Sequence, residues 1–246
     1  MQDINWYIGC SGYHYREWKE LFYPKGIPQS KWFEFYATKF NTLEINNTFY
    51  KFPQLNNLLN WYQKAPEGFK FSVKVPGAIT HFKQFNDTEV LMSDFYDTVK
   101  EGLKEKLGCI LFQLPPRLNY SKEKLDVIIK HTNLFFQNVI EFRHNSWWRK
   151  DVFETLEHHN ITFCGVSYPG IINDVITHGK LCYYRFHGVP KLYHSIYGTE
   201  FLKKISDKII DSNTETAYIY FNNTASAAAL ENAAEIKNMV GLTSVS

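Results

Sequence analysis

The chain is poor in cysteine. Four occur in 246 residues, Cys10, Cys109, Cys164 and Cys182, and no two form a C-x-x-C pair. That spacing argues against a zinc ribbon or finger, and a chain of this length needs no disulfide scaffold. Buried free thiols in a reducing compartment are expected. Net charge is also nearly absent: 27 Lys and Arg against 25 Asp and Glu leave +2. No global basic field therefore argues for nucleic acid, although a local patch would still serve. No apolar run reaches membrane-spanning length, and the start, MQDINWYIGCSG, lacks a basic segment followed by an apolar leader core. A cytoplasmic protein with no membrane partner is the expectation. No H-x-H pair occurs, which argues against a multinuclear metal centre, and no cofactor is expected. Linkers, low-complexity tracts and repeats are missing as well, which makes residues 1–246 one domain.

Aromatic residues are abundant, with 16 Tyr, 20 Phe and 6 Trp. Many belong in a core, and the surplus is available to line a ligand site. Short apolar segments fall near 5–9, 42–46, 69–75, 108–113, 138–143, 161–166, 181–187 and 217–222. Stretches of helical period separate most of them, near 30–40, 55–64, 88–106, 121–136, 149–159, 195–211 and 225–239. Ser30 and Ser121 are placed to cap two of these, and Gly241 to stop the last. Alternating strand and helix with near-continuous apolar strands predicts a parallel sheet covered by helices. Eight such units in 246 residues fit a single (β/α)8 TIM-like barrel, with a doubly wound open sheet as rival. Residues 167–180 offer only a weak helix, so the barrel is expected to be irregular between its sixth and seventh strands.

Polar residues gather at the carboxyl ends of these segments, where an α/β barrel keeps its chemistry. Ser11 ends the first; Glu44, Asn46, Thr48 and Tyr50 follow the second with one parity; Ser72 and Lys74 end the third, and His81 lies in the loop beyond. Gln113 ends the fourth, Glu141 and Arg143 the fifth, Arg185 and His187 the seventh, and Asn222 and Asn223 the eighth. Glu44, Glu141, His187 and Lys74 are the candidate acid–base groups. Ser11, Asn46, Tyr50, His81, Gln113, Arg143, Trp147, Arg185, Asn222 and Asn223 are candidates for substrate binding. Each has a plainer reading. Glu141 and Arg143 would also make a structural ion pair, since a partner relieves a buried charge. Lys74 would also snorkel to the mouth, His187 would serve as an ordinary core histidine, and Trp147 would cap the core.

The motifs GCSGYHYREWKELFYP, LEINNTFYKFP, FSVKVPGAITH, LFQLPPRL, IEFRHNSWW, YYRFHG and YIYFNNT follow one another in order across roughly positions 6 to 239. In this the chain resembles the YecE-like family, domain of unknown function 72. The resemblance implies a TIM-barrel-like fold and supplies no established activity. It also implies an Asp just after strand six in many relatives, where this chain reads Ser167-Tyr168-Pro169.

Lys74, His81, Arg143, His144, Arg185 and His187 against Glu44 and Glu141 make a rim expected to prefer an anion, phosphate or carboxylate. An enzyme of the hydrolase or lyase kind, working by general acid–base chemistry on such a ligand, is the first expectation. Nucleic-acid binding or processing without a full metal centre, glycoside hydrolysis by Glu44 and Glu141, and anion binding without catalysis remain open beside it.

Overall fold

The computed structural model describes residues 3–242. Its parallel strands are β1 (Asn5–Ser11), β2 (Thr42–Ile45), β3 (Lys70–Lys74), β4 (Leu107–Gln113), β5 (Gln137–Glu141), β6 (Ile161–Phe163), β7 (Gly165–Ser167), β8 (Leu181–Phe186) and β9 (Thr216–Phe221). They form one sheet in the order β6-β5-β4-β3-β2-β1-β9-β8-β7. Only Cys164 separates β6 from β7, the two ends of that order. The result is a nearly closed parallel barrel of nine strands with one unsealed seam, close to a TIM barrel. The expected sixth strand is thus broken in two. Its first half pairs with β5 and its second with β8.

Among the described residues seven α-helices lie outside: α1 (Trp32–Ala37), α2 (Leu55–Lys64), α3 (Glu89–Leu103), α4 (Lys122–Lys130), α5 (Lys150–His158), α6 (Thr199–Ile210) and α7 (Ala228–Met239). Their apolar faces and the outward strand residues make one continuous core, in which Ile8, Leu43, Phe71, Ile140 and Ile219 meet Tyr36, Phe95, Leu156 and Leu202. Ser121 caps α4 by accepting from the Lys124 amide at 3.3 Å. Ser30 caps nothing, because a 3-10 turn over residues 29–31 leads into α1. Residues 168–180 form no helix; Val175 and Ile176 are buried in its place.

Inside the barrel a second cluster gathers Cys109, Leu111, Val139, Cys164, Val166, Tyr183, Tyr218 and Tyr220. Three tyrosines and two cysteines share it with Leu111, Val139 and Val166, where branched aliphatics usually dominate in such barrels. Tyr7 stacks on Tyr218 with centroids 4.7 Å apart, and the Tyr220 hydroxyl meets Thr42 Oγ1 at 2.5 Å and Ser72 Oγ at 2.9 Å. This hydroxyl layer is the floor of the site. All four cysteines are buried and free. Among the described residues no helix is long and apolar enough to cross a membrane.

Candidate functional site

Alternation along a strand sends every second side chain inward, and ladder register sets which of them meet. Ser11 lies level with Glu44, Glu44 with Ser72, and Gln113 with Glu141. The inward residues above the tyrosine layer are therefore Ser11, Glu44, Lys74, Gln113, Glu141 and Arg185. Asn46, Arg143 and His187 continue the same parity beyond the strand ends. These nine of the residues expected at the rim are brought to one mouth.

Arg185 is its centre. Buried to 1% exposure, it joins two carboxylates that come from opposite parts of the ring. Its Nη2 donates to Glu44 Oε2 at 2.7 Å, and its Nη1 donates to Glu141 Oε2. Glu44 also accepts from Ser11 Oγ at 2.5 Å, the Tyr183 hydroxyl at 2.8 Å and Asn46 Nδ2 at 2.9 Å. Arg143 Nε donates to the other oxygen of Glu141. Burial by itself would raise both carboxyl pKa values. The guanidiniums overcome it: Arg185, with Ser11 and Tyr183, brings Glu44 below its ordinary value, and Arg143, Arg185 and His187 hold Glu141 well below its own. Both carboxylates stay ionised and engaged.

Lys74 differs. It has no carboxylate partner and donates to Gln113 Oε1 at 2.7 Å, with its ammonium 4.2 Å from the centroid of the Phe49 ring. Burial, then the charge of Arg185, bring its pKa down to about 7. Gln113 Nε2 lies 3.3 Å from His81 Nε2, and Thr80 Oγ1 lies 2.9 Å from His81 Nδ1. Burial and the charges of Lys74 and Arg143 lower His81 to about 4. His187, fully buried, stands 3.2 Å from Arg143 Nη2 and 2.9 Å from Asn222 Nδ2. Burial, then Arg143 and Arg185, take it to about 3. Both histidines are neutral near pH 7. The cationic surplus counted from the sequence thus shrinks, because the arginines are matched by the glutamates and these histidines carry no charge. Lys74 is left as the swing charge.

Other expected residues fall elsewhere. Trp147 is not brought to the mouth: it is buried, stacked on Phe142 at 4.2 Å, and donates to the Leu118 carbonyl at 2.6 Å. Asn223 is buried and donates to the Ser195 carbonyl and to Asn232 Oδ1, tying loops together. Tyr50 is 87% exposed on the lip. Ser167 points outward to the Tyr197 hydroxyl at 2.9 Å; the inward place beside it belongs to Tyr168, whose ring carries the Arg143 guanidinium 4.0 Å from its centroid. Tyr168, Tyr183 and Phe49 were not singled out by sequence reasoning as site residues. For Tyr183 a signal existed: it sits two before Arg185, on the same face. Among the described residues no group of three or more His, Cys, Asp or Glu has the arrangement of a metal site. A cavity of about 520 Å³ opens beside Glu44 and Asn46.

A family model described as "Protein of unknown function DUF72" matches residues 7–245. The chain is 27% identical to UPF0759 protein YunF of Bacillus subtilis over 155 residues, 60% of this chain and 54% of YunF. It is 30% identical to UPF0759 protein YecE of Escherichia coli over 109 residues, 44% of this chain and 37% of YecE. The match thus spans about half the length of YunF and less of YecE. Among solved structures, a DUF72 family protein of Thermotoga maritima is similar with a TM-score of 0.87 and 27% identity, covering 96% of this chain and 99% of that one. One from Enterococcus faecalis has a TM-score of 0.80 at 18% identity, covering 97% and 96%, a likeness of fold alone.

Proposed function

The chain belongs to the DUF72 family, and from the mouth of its barrel we propose that it binds a small anion and exchanges a proton with it through Lys74. The observation that carries this reading is a nearly buried amine with a pKa of about 7 and no carboxylate partner. An arriving phosphate or carboxylate supplies the missing counter-charge. Arg143, at 8% exposure the more accessible of the two arginines, is the second receptor. A group titrating near neutrality donates and accepts protons with similar ease, which suits hydrolase or lyase chemistry.

Glu44 and Glu141 then act as anchors that fix the arginines, not as the acid and base. Their lowered pKa values make them poor proton donors, and a guanidinium bonds to both. That counts against glycoside hydrolysis, which needs a protonated carboxyl near neutral pH. His187, neutral, fully buried and held between Arg143 and Asn222, positions Arg143.

Calorimetric titration with inorganic phosphate and with malonate, at pH 7.5 in two buffers of different ionisation heat, tests the reading. Binding is expected to take up part of a proton, because the anion raises the Lys74 pKa. Affinity should then fall by up to about tenfold per pH unit above 7. Lys74→Met should abolish both effects. Binding without proton uptake, or unchanged in that variant, would overturn the assignment.

A further inference from the structure

We propose that the cavity beside Asn46 holds the base of a nucleoside monophosphate whose phosphate is received by Lys74; this rests on the anion reading above. The cavity, of about 520 Å³, is walled by Tyr13, Tyr15, Tyr50 and Trp61. Rings of this kind stack on a flat heterocycle and tolerate its identity. Asn46 supplies direction. Its Nδ2 is engaged by Glu44, while its Oδ1 is buried and has no hydrogen-bond partner among the described residues. A buried acceptor left alone costs about 1–3 kcal/mol. A ligand N–H, such as the exocyclic amine of adenine or cytosine, satisfies it.

The anion receptor lies on the neighbouring strand. Ile45 is level with Val73 in the β2–β3 ladder, so Asn46 and Lys74 each follow a paired residue on strands roughly 5 Å apart. Phe49 connects the two places: one face carries the Lys74 ammonium, and its ring packs on Tyr50 with centroids 5.1 Å apart. An acceptor and aromatic faces on one side, with a cation on the other, match a base and a phosphate on one molecule.

The test compares AMP, ribose 5-phosphate, adenosine and inorganic phosphate by calorimetry on the full chain. AMP is expected to bind at least tenfold more tightly than phosphate. Asn46→Leu should remove that advantage, read as the ratio of AMP to phosphate affinity within the variant. Tyr50→Ala should do the same, and this residue is 87% exposed, so its variant puts folding at little risk. Lys74→Met should weaken AMP and phosphate together. AMP no tighter than phosphate, or no tighter than ribose 5-phosphate, overturns the base pocket and leaves the anion reading standing. Adenosine binding as tightly as AMP, with Lys74→Met neutral, overturns the anion reading and keeps the pocket. Binding of none of the four overturns both.

Discussion

Arg185 is a cation at 1% exposure between two carboxylates, and the cost of taking those charges from water decides what its neighbours can do. Each ion pays several kcal/mol on burial, repaid only when every lone pair and proton finds a partner. Glu44 has four donors and Glu141 has two guanidiniums, so both carboxylates are met, while the Nε–H of Arg185 has no partner among the described residues. Arg185→Met leaves the carboxylates with too little countercharge and should cost about 3–5 kcal/mol. The loss should depend on pH. Without Arg185, burial lifts the carboxyl pKa values above those of the unfolded chain, so the penalty is present at high pH and relieved as they protonate. Urea midpoints should therefore separate wild type from Arg185→Met more at pH 8 than at pH 5. An equal gap at both would refute this picture of the cluster. The parity of Glu141, Arg143, Arg185 and His187 was legible in the sequence because alternation is local. Their charge states were not, because the partner of Glu44 lies 141 residues away. Trp147 misled for a similar reason: its acceptor, the Leu118 carbonyl, belongs to another strand's loop.

At the scale of elements, the seam is where pattern and outcome part. Helix and strand positions followed from apolar runs and helical period, and all seven helical stretches contain a helix. The break at Cys164 left no such trace. Its amide still bonds the Ile140 carbonyl at 2.8 Å, while the next residues pair with β8. A change of ladder partner is a long-range event that residues 161–167 alone do not encode. Gly165 permits it. A Cβ there would lie 2.6 Å from Tyr184 Cδ2 and 2.7 Å from the Asp174 carbonyl oxygen, on the connection that replaces a helix. Gly165→Ala must push that backbone away and should cost about 1–3 kcal/mol as overpacking. A urea midpoint equal to wild type would mean that the connection yields freely.

Across the whole molecule, the shifted groups of the mouth act in one direction. Glu44 and Glu141 are lowered, His187 to about 3, His81 to about 4, and Lys74 from 10.5 to about 7. For each the unfolded chain binds more protons between the folded and unfolded values, so stability rises with pH through that window. The carboxylates and histidines cover the acid side; Lys74 alone covers roughly pH 7 to 10. Its penalty is fully grown below 7 and vanishes above its unfolded value. The buried cysteines and tyrosines oppose this at the alkaline end: burial raises Cys10, Cys109, Cys164 and Cys182, and lifts Tyr36, Tyr183 and Tyr220 well above 10, while the unfolded chain ionises its thiols near 9 and its phenols near 10. Urea midpoints should climb from about pH 4 to about pH 8 and fall beyond about pH 9. Lys74→Met should flatten the climb above pH 7 and leave the acid limb in place. That comparison reads the lysine in the absence of any ligand. If Lys74→Met rose as steeply as wild type, the amine would already be fully charged in the folded protein at pH 7, and an arriving anion would have no proton to draw in.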